Sequence, residues 1–434
     1  MTRSRWVGSV LAGLLLSISG LLIWGGAGTQ LALDAGHVPS ATGNHHDRAK
    51  GPPWSLSVVH PYLKWQTKTG TRAGYSMALF QDGQLRYAIQ HGVSDLEKHA
   101  KIGTDTRFRI ASMTKPITAV AAMILVERGL IDLDHPIAHY IPAFADTMVW
   151  QDGTRIAPNR PPTIHDLLTF TAGIGSPNGS GRLDLDNLWS DRLYELSNSA
   201  ALEARVNIMA TLPLYNQPGE NWHYASSLTV MARIIEIASG QSFEDFLDQE
   251  IFDPLGMTRT GFMPQENQRA DIAALYTHDA NQRLAMRPDA EFHPKGRVSG
   301  DGRLVSTLPD YMRFALMLWN GGTYNGVQIL SEDSIAKMTT PYVNDGVLSQ
   351  YDIEGLSWGY GLAIVTDAEA TPMPDKDGDL FWSGVNGTHF WISPANDTVF
   401  VYMTQYRAPS DETGRPRGAE IPFVVQAVVN NRLR

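Results

Sequence analysis

Two strand hairpins lie far apart in this chain, one near residue 80 and one near residue 395, with helix-forming sequence between them. Tyr75 to Phe80, a Gln81-Asp82-Gly83 turn and Gln84 to Gln90 read as the first hairpin. Gly387 to Ser393, Pro394 to Asp397 and Thr398 to Gln405 read as the second, followed by an apolar-periodic helix from about Glu420 to Arg432. In the middle, Thr163 with Asp166 and Ser242 with Asp245 have N-cap spacing ahead of apolar runs, and Gly240 and Gly321 follow helices as C-terminal caps would. A helical middle inside strand-bearing ends predicts a discontinuous α/β domain carrying an inserted helical domain. Clefts between two such parts are common ligand sites. With 434 residues, 43% hydrophobic and 18% charged, the chain is long enough for two domains or one large two-part domain.

The first residues have the composition of a targeting segment. Arg3 and Arg5 precede an uncharged stretch from Trp6 to Leu33, which suits a signal peptide with a basic start. The same stretch is long enough to span a bilayer, so an uncleaved anchor, with a membrane tether through residues 6–28, is the second reading. Either one predicts export to the periplasm or beyond, and the second adds anchoring to the inner membrane. Residues 34–53 are rich in Gly, Pro, His and small polar side chains, as a linker is, and folding is expected to begin near Trp54. Cysteine is absent, which excludes disulfides and a lipid-modified cysteine. Net charge is −10 and no helix carries a basic cluster, so nucleic acid is an unsuitable partner and a small molecule a suitable one.

The chemistry begins at Ser112-Met113-Thr114-Lys115, between the strand-like run Phe108 to Ala111 and an apolar helix reaching about Arg128. On a helix, a lysine three residues after a serine shares its face, so the amine can take the hydroxyl proton and make the serine a nucleophile. Ser112 opens its helix, Pro116 falls in the first turn where a missing N–H is harmless, and Gly129 follows the last turn. A second copy of the pattern, Ser334 to Lys337, lies in a short polar helix with no apolar wall behind it. The second element is Tyr224-Ala225-Ser226, just ahead of the apolar helix Leu228 to Ala238, where a tyrosine near a lysine acts as base or proton relay. A packed tyrosine is its bland alternative. The third is Trp382-Ser383-Gly384-Val385, leading into the last hairpin, from which an edge strand can offer a backbone N–H to Ser112.

Other motifs compete less well. Gly355-Leu356-Ser357-Trp358-Gly359 matches the Gly-x-Ser-x-Gly elbow, but a polar loop precedes it and Tyr360 to Thr366 reads as strand rather than helix. His135 and His139 have ligand spacing, yet Pro136 lies between them in an Asp-rich stretch that reads as a solvated loop, and no metal or cofactor is expected. Ser176 to Ala200 reads equally as a flap over a pocket and as surface elaboration.

In order, "FRIASMTKPIT", "TIHDLLTFTAGI", "QPGENWHYASSLTVMARIIEIASGQSFEDFL", "IFDPLGMTRTGF" and "FWSGVNGTHFWISP" resemble stretches of the serine β-lactamase-like superfamily, closest to class C β-lactamases and family VIII carboxylesterases. The resemblance covers roughly Tyr75 to the C-terminus. It implies an antiparallel sheet flanked by helices, with an α/β part at about 54–111 and 260–434 and a helical part at about 112–259. It further implies that Ser112 is acylated, Lys115 is its base, Tyr224 is the second base or relay, and the N–H groups of Ser112 and Val385 form the oxyanion hole. Ser226, Trp382, Ser383 and Gly384 would face the substrate, Ser226 where the β-lactamases usually carry asparagine.

Departures from the pattern bear on substrate. Penicillin-recognising members usually begin the third motif with lysine or histidine, which helps hold a substrate carboxylate; here Trp382 stands there, as in many esterase-like members. That favours small neutral esters, with β-lactam or D-alanyl-peptide amides, or acyl transfer to an alcohol, as alternatives. Trp382 reads equally as rim packing and as pocket wall. Phe170 replaces a frequent histidine, and Asp301 and Arg303 interrupt what is often a glycine run after Ser299; no role is assigned to these three.

Overall fold

The computed structural model describes residues 59–176, 183–194, 201–264, 269–287, 298–343, 354–371, 375–408 and 426. The targeting segment, the linker and the C-terminal helix expected from Glu420 to Arg432, Gln426 excepted, lie outside the described residues. Among the described residues no helix is long and apolar enough to cross a membrane.

The elements that position the site are helices α1 (Val59–Lys68), α2 (Thr114–Glu127), α3 (Ile164–Thr169), α4 (Leu183–Tyr194), α5 (Ser227–Ser239) and α6 (Leu308–Trp319). Strands β1 (Gly74–Gln81), β2 (Gln84–Asp95), β3 (Ala100–Lys101), β4 (Leu356–Trp358), β5 (Ala363–Val365), β6 (Leu380–Gly384), β7 (Thr388–Ser393) and β8 (Thr398–Thr404) form one sheet. Its order is β4-β5-β6-β7-β8-β1-β2-β3, antiparallel throughout. The two distant hairpins therefore meet edge to edge: β1 pairs with β8 from Tyr75 opposite Thr404 to Gln81 opposite Thr398. The first hairpin turns through Asp82 and Gly83, both at positive φ (51° and 71°), the geometry that matches strand twist in a two-residue loop. Every residue of β8 is buried, as a central strand covered on both faces requires. The fold is thus the α/β arrangement with a large antiparallel sheet flanked by helices.

Local signals account for the helices. Thr163 and Asp166 form a reciprocal capping box on α3, Asp166 N–H donating to Thr163 Oγ1 (3.3 Å) and Thr163 N–H to Asp166 Oδ2 (2.8 Å). Ser242 Oγ accepts from Asp245 N–H (3.0 Å) as an N-cap does. Gly240 ends α5 in the left-handed conformation, and Gly321 follows α6 at φ 65°. The stretch from 112 to 259 is not wholly helical: Val149–Gln151 and Thr154–Ile156 pair as a small hairpin around Asp152 and Gly153, both at positive φ. Within the 176–200 segment, α4 buries Leu185 and Trp189, with the Trp189 indole donating to Pro213 O (3.0 Å). That helix is part of the packed body, beyond mere surface elaboration.

Candidate active site

A short three-stranded sheet sets the entry to the Ser112 turn. Phe108–Arg109 pairs with Leu304–Ser306, which pairs in turn with Gly261–Phe262. The chain then turns sharply: Ala111 takes φ 46°, a left-handed conformation that costs a residue with a Cβ on the order of 1 kcal/mol. Ser112 lies in a single 3-10 turn, Ala111–Met113, which runs directly into α2 at Thr114. Sequence placed Ser112 as the first residue of the α-helix itself; the extra turn lifts it just ahead of that helix. α2 is apolar nearly all round and buried from Thr114 to Leu125, so its start is fixed by packing on every side.

Lys115, 3% exposed, points back along α2. Its Nζ donates to Ser112 Oγ (3.2 Å) and to the backbone carbonyl of Asp301 (2.7 Å). It also lies 4.4 Å from the centre of the Tyr224 ring, over its face. Tyr224 reaches this position because the chain before α5 is tied down. His223 N–H donates to Phe170 O (2.8 Å) and Ser226 N–H to Gly175 O (3.3 Å). An added Cβ on Gly175 would meet the Trp189 ring at 2.6 Å, so α4 backs this segment.

Aromatic rings surround Tyr224. Its ring lies 5.2 Å from Phe170, 5.5 Å from Trp222, 5.3 Å from Trp382 and 6.1 Å from Trp358, and Trp358 meets Trp382 edge to face at 4.5 Å. The Trp382 indole N–H donates to Tyr224 Oη (3.0 Å). Trp382 is half-buried in β6, so part of its indole stays open while its N–H is engaged. Phe170, given no role from sequence, is fully buried in this cluster, with a left-handed backbone (φ 61°) ending α3.

The third motif closes against the turn that carries Ser112. An added Cβ on Gly384 would meet Ile110 O at 2.4 Å and Thr388 Oγ1 at 2.2 Å, so only glycine lets β6 press this closely on the residues before Ser112. Thr388 Oγ1 donates to the same Ile110 carbonyl (3.2 Å). Val385, 53% exposed, lies in the turn between β6 and β7, where Gly387 N–H donates to Gly384 O (2.9 Å). Ser383 is exposed and its Oγ shares a hydrogen bond with His389 Nδ1 (2.8 Å), a buried imidazole whose pKa burial pushes down to about 3. Ser226 is half-buried immediately before α5, and its side chain makes no helix-capping bond.

Asp301, also given no role from sequence, stands at the centre of this arrangement. Besides the carbonyl that accepts from Lys115, its carboxylate accepts from Leu228 N–H (3.2 Å), Thr229 N–H (2.9 Å) and Thr229 Oγ1. Burial pushes its carboxyl up, and Lys115 and the Thr229 donors pull against that. The break in the glycine run was the available signal, but its meaning depends on contacts made 70 or so residues away in sequence. Arg303, the other break, sits at φ 83°, a backbone position that favours glycine.

The remaining candidates are elsewhere. Ser357 is buried in β4, its hydroxyl donating to Val343 O (2.6 Å) and accepting from Val343 N–H (3.3 Å), a structural clamp with strand on its far side. Ser334 is buried and bonded within the cap of its own short helix, with Lys337 exposed. His135 and His139 stack at 4.2 Å, and His139 lies in a four-residue helix, Ile137–Tyr140, where sequence suggested a loop. Among the described residues no group of His, Asp or Glu is placed to hold a metal ion.

Comparison with known proteins identifies the family. The sequence model of the family described as Beta-lactamase matches residues 59–421. Protein Rv1367c of Mycobacterium tuberculosis is 31% identical over 354 residues, covering 78% of this chain and 86% of that protein. Esterase EstB of Burkholderia gladioli is 30% identical over 330 residues, covering 71% of this chain and 80% of the esterase. Among solved structures, EstCE1, described as a hydrolase with promiscuous acyltransferase activity, superposes with a TM-score of 0.75 over 87% of this chain and 99% of its own, at 23% identity. The chain belongs to the Beta-lactamase family and is a serine hydrolase of the β-lactamase superfamily.

Proposed function

We propose that this protein is an exported carboxylesterase-like enzyme that cleaves small neutral esters through an acyl-enzyme on Ser112. Lys115, hydrogen-bonded to Ser112 Oγ, takes the hydroxyl proton as Ser112 attacks the acyl carbonyl. The tetrahedral oxyanion is received by the N–H groups of Ser112 and Val385. The alcohol leaves with a proton delivered through the Lys115 and Tyr224 pair, whose amine and ring are in contact, and water then hydrolyses the acyl-enzyme by the reverse sequence of proton transfers. Ser226 and Ser383 offer hydroxyls toward the substrate, and Trp382 and Gly384 form the wall and floor beside them.

The observation that carries the ester reading is the hydrogen bond from Trp382 to Tyr224. At the place where a cationic side chain would hold a substrate carboxylate, this chain has an indole whose one N–H is already given to the tyrosine. A carboxylate there would lose a charge-assisted hydrogen bond of about 1.5 to 3 kcal/mol, roughly ten- to a hundredfold in discrimination. The named activity of EstB supports esters, and the description of EstCE1 keeps acyl transfer to an alcohol as a second outlet for the same intermediate. Export rests on Arg3, Arg5 and the uncharged stretch that follows; sequencing the N-terminus of protein recovered from each cell fraction separates a cleaved signal from a tether.

The decisive experiment sets short-chain p-nitrophenyl esters, with and without added alcohol, against a chromogenic cephalosporin and a D-alanyl-D-alanine peptide. The esters are expected to show the higher kcat/KM. Preference for the cephalosporin or the peptide over every ester overturns the reading.

A further inference from the structure

The start of α5 presents an anomaly. Its first turn leaves N–H groups that a side chain at the N-cap position ordinarily satisfies, and the residue there is Ser226, a favoured N-cap type. Yet Ser226 makes no capping bond. The Leu228 and Thr229 amides, the two that an N-cap serves, are instead taken by the carboxylate of Asp301 (3.2 and 2.9 Å). A carboxylate suits that place, since the helix N-terminus carries partial positive charge.

The backbone around Asp301 is wedged into position. An added Cβ on Gly300 would meet Leu228 O at 1.9 Å, so the segment lies directly against the first turn of α5. Gly300 O accepts from Thr118 Oγ1 on α2 (2.8 Å), and Ser299 Oγ bonds Thr229 Oγ1 (2.9 Å) and accepts from Asp301 N–H (3.3 Å). On its other side the Asp301 carbonyl receives Lys115 Nζ at 2.7 Å, a shorter bond than the one Lys115 makes to Ser112. One residue thus grips α5 by its side chain and the lysine by its main chain.

We propose that Asp301 is a positioning residue that caps α5 in place of Ser226 and thereby fixes Lys115, Tyr224 and Ser226 relative to Ser112. Resting on the reading that Ser112, Lys115 and Tyr224 carry the chemistry, it adds why Ser226 is free: a serine relieved of capping keeps its hydroxyl for the substrate. Lys115 Nζ has three directions to fill. The Asp301 carbonyl takes one and the Tyr224 face another, which leaves the third for Ser112 Oγ. If the Asp301 carboxylate lets go of α5, Ser226 can turn back onto the Leu228 and Thr229 amides, and the carbonyl that orients the amine loses its anchor.

The test uses the full chain with a p-nitrophenyl acetate assay, far-UV circular dichroism to confirm folding, and Ser112→Ala as the control. Asp301→Asn keeps the volume and one acceptor oxygen but sets an amide NH2 against one of the two helix N–H groups; kcat is expected to fall about three- to tenfold with KM within twofold. Asp301→Ala removes both acceptors and is expected to lose on the order of a hundredfold in kcat. Adding Ser226→Ala to Asp301→Ala is expected to cost little more, because the lone serine has already been diverted to the cap, whereas Ser226→Ala in the wild-type background raises KM. A role confined to stability would lower the melting temperature and leave kcat of the folded fraction alone. An Asp301→Asn enzyme that keeps wild-type kcat, while Ser112→Ala is dead, overturns the inference and leaves the esterase reading intact. Turnover persisting in Ser112→Ala overturns both.

Discussion

Trp382→Phe isolates the indole N–H from the ring that carries it. The ring of a phenylalanine still faces Trp358 and Tyr224, whose centroids lie 4.5 and 5.3 Å from that of Trp382, but the 3.0 Å donor to Tyr224 Oη disappears. If Tyr224 only packs, the lost bond joins two neutral groups and costs about 0.5 to 1.5 kcal/mol, mostly in stability. If Tyr224 moves a proton, its oxygen gains negative charge in the transition state, where the same N–H becomes a charge-assisted donor contributing about 1.5 to 3 kcal/mol. Only the excess over the ground-state bond, about 1 to 1.5 kcal/mol, acts on kcat, so at about 1.4 kcal/mol per tenfold kcat should fall roughly five- to tenfold while KM for a small ester moves little. The assay is steady-state hydrolysis of p-nitrophenyl acetate by Trp382→Phe, Tyr224→Phe and the double variant. With the tyrosine hydroxyl gone, the indole has nothing to donate to, so Trp382→Phe should have almost no effect in the Tyr224→Phe background. A full-sized effect there, or a rise in KM with kcat unchanged, would refute the argument and leave Trp382 as a pocket wall alone.

Three further outcomes follow from other parts of the molecule. A fluorophosphonate probe should label Ser112 and leave Ser357 untouched, so Ser357→Ala should keep kcat/KM within about threefold while losing about 1 to 3 kcal/mol of stability for the unpaired Val343 groups, read by thermal denaturation. Gly384→Ala should drive β6 off the turn that carries Ser112, costing about 1 to 3 kcal/mol by overpacking and slowing probe labelling of Ser112 by orders of magnitude in protein that circular dichroism shows to be folded. Burial holds His389 at about 3, below its unfolded value near 6.5, so from pH 6.5 down toward 3 the unfolded chain binds a proton that the folded chain refuses. The stability this contributes is whole above pH 6.5 and drains on acidification at up to about 1.4 kcal/mol per pH unit. His389→Gln should therefore flatten the decline of melting temperature between pH 6.5 and 4, and an unchanged slope would count against the buried imidazole as its source.

The sequence by itself determined what is local or periodic. Two apolar runs around an Asp-Gly turn are sufficient for a hairpin, Thr163 with Asp166 for a helix start, and a serine three residues before a lysine at a helix start for a hydroxyl within reach of an amine, because each depends on neighbours a few residues away. What the tertiary structure alone decided is where distant segments touch. Nothing near Trp382 announces that its N–H meets a tyrosine 158 residues earlier, and nothing near Asp301 that its carboxylate caps a helix starting at Ser227 while its carbonyl holds Lys115. Phe170 looked like a lost histidine until four aromatic rings gathered around Tyr224 gave it a place. The physical reason is the same in each case. A hydrogen-bond donor or a ring face is written in the residue type, but its partner is set by how the sheet brings the two ends of the chain together and how α2 packs against α5, and that packing is a property of the whole core rather than of any stretch of sequence.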